Sequence, residues 1–241
     1  MEGTSASYVN IGGRPIWVEH LGESGSPMLL LHGGLGNSDE LLVPLGATLS
    51  QNHRLLAFDR RGHGRTADTG EAFHYDEFVE ETIAVIEHYG VGPIDMVGWS
   101  DGGIIALLLA IKRPDLVRRL VPIGANYHHD GVVGVGDPPS NPDPARAPGA
   151  ESSPNGKPSV RERVIAMWLT EPTLRPDDLR QIPHSALVMA GDRDMITLAH
   201  TGSMFEALPA GQLAIVPGAT HGVIAEKPEL VARLILDFLE A

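Results

Sequence analysis

The chain has 241 residues, 42% of them hydrophobic, enough to bury one substantial core without help from disulfides or structural metals. Lys and Arg number 18 against 31 Asp and Glu, and the net charge of -13 repels phosphate backbones and anionic membranes, which excludes nucleic acid as an expected partner. With 0 cysteines, disulfides, thiolate metal sites and a cysteine nucleophile are all excluded, a usage that suits a reducing compartment. Met1 to Tyr8 carry no basic segment leading into an apolar core, and no apolar run reaches the length of a bilayer span. The expectation is one cytoplasmic catalytic domain over residues 1–241, a monomer or homodimer, not bound to membrane.

In chain order, Tyr8 to Ile11, the turn residues Gly12 and Gly13, and Pro15 to Glu19 predict an opening antiparallel hairpin. Short apolar runs follow at Met28 to Leu31, Leu55 to Phe58, Ile94 to Gly98, Leu120 to Ile123, Leu187 to Ala190 and Leu213 to Val216. Each ends at polar or glycine-rich residues and alternates with amphipathic stretches, so a mostly parallel sheet with helices on both faces is predicted. Phe78, Val79, Ile83 and Ile86 recur at helical spacing before a stop at Gly90, and Leu230, Leu234, Ile235 and Phe238 stripe the last helix. From Asn126 to Pro158 the chain is rich in Pro, Gly, Ser and Asp and reads as a long loop, with a short helix following at Arg161 to Leu169. Residues 126–170 are therefore expected to form a reduced cap inserted in the domain.

The strongest local signal is Gly98-Trp99-Ser100-Asp101-Gly102, a G-x-S-x-G nucleophile elbow placed between a strand and a helix. The serine of such an elbow is strained, and the residues two before and two after it must be small. The helix starting at Asp101 aims its free N–H groups at a reacting carbonyl oxygen and supplies half of an oxyanion hole. A serine hydroxyl needs a neutral imidazole within hydrogen-bond reach and a carboxylate that fixes the tautomer of that imidazole. Chain order places the acid after a later strand, where Asp192 and Asp194 compete, and the histidine last, where His221 follows Leu213 to Val216. His32-Gly33-Gly34-Leu35-Gly36 supplies a glycine-rich loop directly after a strand, with Gly34 as the second oxyanion donor and Leu35 as the alternative.

Together with Asp59-Arg60-Arg61-Gly62-His63-Gly64-Arg65-Thr66, these motifs resemble the α/β-hydrolase superfamily over almost the whole chain, the cap region excepted. Gly98 to Gly103 and Gly124-Ala125-Asn126 more narrowly resemble the biphenyl hydrolase-like (valacyclovir hydrolase) group of serine hydrolases. The resemblance implies an α/β-hydrolase fold, a serine esterase acting on small esters, Asp194 as the working acid, and recognition of a substrate amine by Asp101. Helix-dipole stabilisation is the competing account of Asp101, and on physical grounds the favoured one. Lactonase, cofactor-free haloperoxidase or perhydrolase chemistry would use the same triad, and a small-molecule receptor on the same fold is the non-enzymatic alternative. The chemistry calls for a small ester or lactone substrate and for no cofactor or metal. Leu35, Trp99, Trp168 and His128 are further expected to contact substrate, and Arg60, Arg61 and Arg65 to be structural. His128-His129-Asp130 is not expected to hold a metal, because adjacent histidines in an extended chain point to opposite sides.

Overall fold

The computed structural model describes residues 4–133 and 158–240. Gly12 and Gly13, at φ of 59° and 85°, reverse the chain between β1 (Thr4–Ile11) and β2 (Arg14–Leu21), which pair antiparallel along their whole length. Two successive left-handed residues match the twist of a tight hairpin, and glycine adopts them without steric cost. β3 (Ser26–Leu31), β4 (His53–Phe58), β5 (Ile94–Trp99), β6 (Val117–Ile123), β7 (Ser185–Gly191) and β8 (Gly211–Val216) complete an 8-stranded sheet in the order β1-β2-β4-β3-β5-β6-β7-β8. β2 meets β4 antiparallel, and every later pairing is parallel.

Because strand side chains alternate in direction, each central strand feeds two cores. Leu29 and Leu31 join one apolar cluster with Leu56, Phe58 and Met96, while Met28 and Leu30 join a second with Leu55, Ala57 and Val97. The first is closed by α2 (Tyr75–Tyr89) and α3 (Asp101–Lys112), through residues such as Phe78, Ile83, Ile104 and Leu107. The second is closed by α1 (Asp39–Leu49) and α8 (Pro228–Glu240), through Leu41, Leu45, Ile235 and Phe238. Gly90, at φ 60°, ends α2 in the left-handed conformation that the sequence marks as a helix stop.

The chain leaves β3 toward β4 on one side of the sheet and returns to β5 on the other. This reversal opens a crevice at the carboxyl ends of β3 and β5, where α/β sheets collect their ligands. Two short segments flank the crevice, α4 (Val160–Trp168) and the irregular chain around residues 126–133, while α5 (Pro176–Leu179) packs against α3. Ser159 and Glu162 form a reciprocal capping box that starts α4. Of the long loop expected from Asn126 to Pro158, and of the cap built on it, residues 134–157 lie outside the described residues. The described part is anchored: it makes a 3-10 turn at His129–Gly131 and bridges His128 to Thr173 and Val132 to Ile196. α6 (Leu198–Ala207) and α7 (Val223–Glu226) complete the layers. Among the described residues no helix is long and apolar enough to cross a membrane.

Candidate active site

β5 ends at Trp99 and α3 begins at Asp101, so Ser100 alone makes the turn. Its φ of 53° and ψ of -120° are unfavourable for a side-chain-bearing residue, a strain of order 1–3 kcal/mol that the surroundings must hold. They do so through the Ser100 N–H, donated to Ile123 O at 2.8 Å, and the Ser100 carbonyl, which accepts from the N–H groups of Gly103 and Ile104 at 2.9 and 3.1 Å. The turn also requires glycine on either side. A Cβ on Gly102 would lie 2.0 Å from Leu31 O, and one on Gly98 would lie 2.2 Å from Gly102 O.

Two loops from the far half of the chain converge on this serine. His221, beyond β8, places Nε2 3.0 Å from Ser100 Oγ and Nδ1 2.8 Å from Asp194 Oδ1. With the Nδ1 proton donated to the carboxylate, Nε2 is left to accept from the hydroxyl. Asp194 follows β7, has a fully buried side chain, and also accepts from the N–H of Ile196 at 3.0 Å. Asp192, the competing acid, instead accepts from the Gly218 N–H at 2.8 Å. Trp99 pins the histidine loop, its indole N–H donating to His221 O at 2.9 Å with the two rings 5.4 Å apart.

The glycine-rich loop after β3 supplies the other wall. Neither the Gly34 nor the Asp101 N–H has a hydrogen-bond partner among the described residues. Gly34 packs so closely on the neighbouring side chains that a Cβ there would lie 2.5 Å from both Asp101 Oδ2 and Trp168 Cζ2. Ser100, His221, Gly34, Trp99 and Trp168 line a cavity of about 160 Å³, together with Gly33, Tyr75, Asp101, Asn126, Val132, Glu171, Met195 and Ile196.

Asp101 is 2% exposed. Its Oδ1 accepts from the Tyr75 hydroxyl at 2.8 Å and the Trp168 indole at 2.9 Å, and its Oδ2 is buried with no partner among the described residues. Burial pushes the carboxyl above its ordinary range, opposed by the charge of Arg60 and by the Tyr75 and Trp168 hydrogen bonds. Asp101 thus ties α2 and α4 to the elbow, a role that neither the helix dipole nor an amine contact foretells.

Two expected substrate contacts fall elsewhere. Leu35, at φ 60°, lies in an adjoining cleft with Asn37, Glu40 and Arg161, because the left-handed turn carries the chain away from Ser100. His128 borders a separate hollow with Tyr127, Arg175 and His200, drawn there by its strand bridge to Thr173. The expectation that His128 and His129 diverge is also corrected. The 3-10 turn stacks their rings 4.4 Å apart, and ligand-type atoms of His128, His129 and Asp130 lie within 4.8 Å of one another. The three arginines are bound up in loop structure. Arg65 pairs with Asp59 at 2.7 Å, Arg61 with Glu77 at 2.7 Å, and Arg60 is entirely buried.

Sequence reasoning does not single out Tyr75, Val132, Glu171, Met195 or Ile196 as site residues. Met195 and Ile196 adjoin Asp194 and were open to inference from that position; Tyr75 and Glu171 carry no motif. Asn126 stands in the Gly124-Ala125-Asn126 run, and its side chain donates to His128 O at 3.1 Å while lining the cavity.

The chain belongs to the alpha/beta hydrolase fold family, which it matches over residues 26–148. The fold and its relatives define an enzyme of the α/β-hydrolase class. Within that class it is similar to the Mus musculus protein serine hydrolase BPHL, at 25% identity over 258 residues, covering 98% of this chain and 87% of the relative. It is also similar to 2-hydroxymuconate semialdehyde hydrolase of Pseudomonas putida, at 28% identity over 261 residues, covering 89% of this chain and 87% of that one. The crystal structure of the enol-lactonase from Burkholderia xenovorans shares the fold at a TM-score of 0.79 and 17% identity, covering 97% of this chain and 100% of that chain.

Proposed function

We propose that this protein is a serine-dependent hydrolase of small carboxylic esters, working through an acyl-enzyme on Ser100. The observation that carries the reading is the continuous relay Asp194–His221–Ser100, with hydrogen bonds of 2.8 and 3.0 Å ending on a strained, cavity-facing serine. Ser100 Oγ attacks the acyl carbon as His221 Nε2 takes its proton, and Asp194 stabilises the imidazolium. The Gly34 and Asp101 N–H groups receive the oxyanion. His221 then returns the proton to the leaving alcohol, and a water repeats the sequence to release the acid. The cavity of about 160 Å³ falls below the roughly 300–1,000 Å³ of pockets for drug-sized ligands, which favours short acyl and alcohol groups.

Ser100→Ala tests the reading, with an expected loss of about three orders of magnitude or more in turnover and retained folding. A folded variant with near-wild-type turnover would dismiss it. A panel of short acyl esters and lactones assigns the preferred carbonyl, and tight ligand binding without multiple turnover would favour the receptor alternative.

A second, narrower reading, α-amino acid esters, is favoured by one observation: two carboxylates, Asp101 and Glu171, line the cavity, and Asp101 Oδ2 is unpaired. Because Oδ2 is buried against Gly34, a substrate ammonium would have to displace the Trp168 indole to reach the carboxylate. Asp101→Asn should then lower kcat/KM for an amino acid ester about tenfold more than for the matched ester without the amine. Equal losses on both would sink it.

A further inference from the structure

Among the described residues Arg60 is the largest fully buried side chain and has no carboxylate within ion-pair distance. Arg61 and Arg65, its neighbours in the same loop, both have such partners. Burying an unpaired guanidinium is costly, so its hydrogen bonds must be specific. Nη1 donates to His32 O at 2.6 Å and Nη2 to Gly33 O at 2.9 Å. The face of the Phe78 ring lies 5.3 Å from its Cζ. The backbone N–H of Arg60 also donates to His32 Nε2 at 3.1 Å, which leaves the imidazole proton on Nδ1, 2.6 Å from Gly33 O. The Gly33 carbonyl therefore accepts twice, once from a cation and once from a neutral imidazole.

That carbonyl shares a peptide unit with the Gly34 N–H. In a planar trans peptide the C=O and N–H point in opposite directions, so holding the oxygen against Arg60 turns the N–H away from the guanidinium. Hydrogen bonds to the carbonyl also withdraw density from the amide and strengthen its N–H as a donor, by roughly 10–30% per bond. The setting gives this cation a purpose. Asp101 Oδ2 lies against Gly34, and a carboxylate there opposes any negative charge developing at the same N–H.

We infer that Arg60 is a positioning residue for acyl transfer, aligning and polarising the Gly33–Gly34 peptide while offsetting the Asp101 charge beside it. The inference rests on the proposed reading of Gly34 as an oxyanion donor. Arg60 touches no substrate; it acts through the loop.

The test compares Arg60→Met, which keeps volume and removes the charge, with Arg60→Lys, which keeps the charge and loses the planar fork. Each is measured by ester kinetics and by the pKa of the hemiketal formed with an alkyl trifluoromethyl ketone, followed by fluorine NMR. With Arg60→Met, kcat should fall about tenfold to a hundredfold with KM changed less than about threefold, and the hemiketal oxyanion should bind its proton about tenfold more tightly. Arg60→Lys should restore part of both effects, and it carries the test alone if Arg60→Met does not fold. Folded variants with an unchanged hemiketal pKa would overturn the inference, even where turnover falls, because the arginine would then be only structural. If the wild-type protein forms no hemiketal and Ser100→Ala stays active, the underlying serine reading fails and takes this inference with it. A wild-type hemiketal that is indifferent to Arg60 overturns the inference alone.

Discussion

Replacing Gly34 by alanine probes a close side-chain contact in the cavity wall. The new Cβ would lie 2.5 Å from both Asp101 Oδ2 and Trp168 Cζ2, so reaching ordinary contact at 3.4 Å requires a displacement of about 0.9 Å. Two groups can yield. If the loop retreats, the Gly34 N–H leaves the narrow range, about 2.7–3.1 Å, in which a donor stabilises an oxyanion. If the indole swings away, its 2.9 Å hydrogen bond to Asp101 Oδ1 breaks and the α4 contact with the elbow loosens. Gly34 has no positive φ, so alanine adds no backbone strain, and overpacking sets a stability cost of about 1–3 kcal/mol. The expected result is a folded protein whose kcat is about 10- to 1,000-fold lower, with KM within a few-fold. Urea unfolding gives the stability, a fluorophosphonate titration counts active sites, and steady-state hydrolysis of a short p-nitrophenyl ester gives kcat. A folded variant with all sites titratable and kcat within about twofold of wild type would refute the placement of Gly34 beside the reacting oxygen.

The two aspartates of the loop after β7 should separate cleanly in ester kinetics. Asp194→Asn is expected to lower kcat by about 10³- to 10⁴-fold by disturbing the His221 tautomer, while Asp192→Asn, which can still accept from the Gly218 N–H, leaves it within a few-fold. Trp99→Phe removes the donor to His221 O, and should cost about 1 kcal/mol in urea unfolding and several-fold in kcat, with little change in KM. Acid stability should follow the buried histidines. Burial, reinforced by the Arg60 charge, lowers the His63 pKa to about 4, and His32 is held well below its usual value for the same reasons. Between pH 6.5 and about 4 the unfolded chain takes up a proton that folded His63 refuses, so stability rises with pH across that window and is lost as pH falls. His63 alone accounts for about 3 kcal/mol of that loss. Urea midpoints from pH 7 to 4.5 should show the slope, and His63→Asn, which can still donate to Arg61 O, should flatten it; an unchanged slope would contradict the assignment.

Features that the backbone demands locally are written in the sequence and can be read there. The hairpin at Gly12 and Gly13, the helix stop at Gly90 and the elbow around Ser100 each need a conformation or a closeness that only certain residues tolerate. Strand and helix periodicity adds the layers, and chain order adds His221 and narrows the acid to Asp192 or Asp194, between which only the family resemblance chose. The cavity wall leaves no comparable mark. Tyr75 opens α2 and Glu171 follows α4, yet the two meet, Glu171 Oε2 accepting from the Tyr75 N–H at 3.0 Å, because separate segments converge on one cavity. Nothing at either position restricts the residue type by local geometry alone. The same reason displaces Leu35 and His128 from the expected site: a turn and a strand bridge, set by contacts with distant segments, decide which way those side chains face. Arg60 is the sharpest instance. By itself the sequence placed it in a glycine-rich loop; packing against Phe78 and the carbonyls of His32 and Gly33 decided that its charge lies beneath the glycine-rich loop after β3.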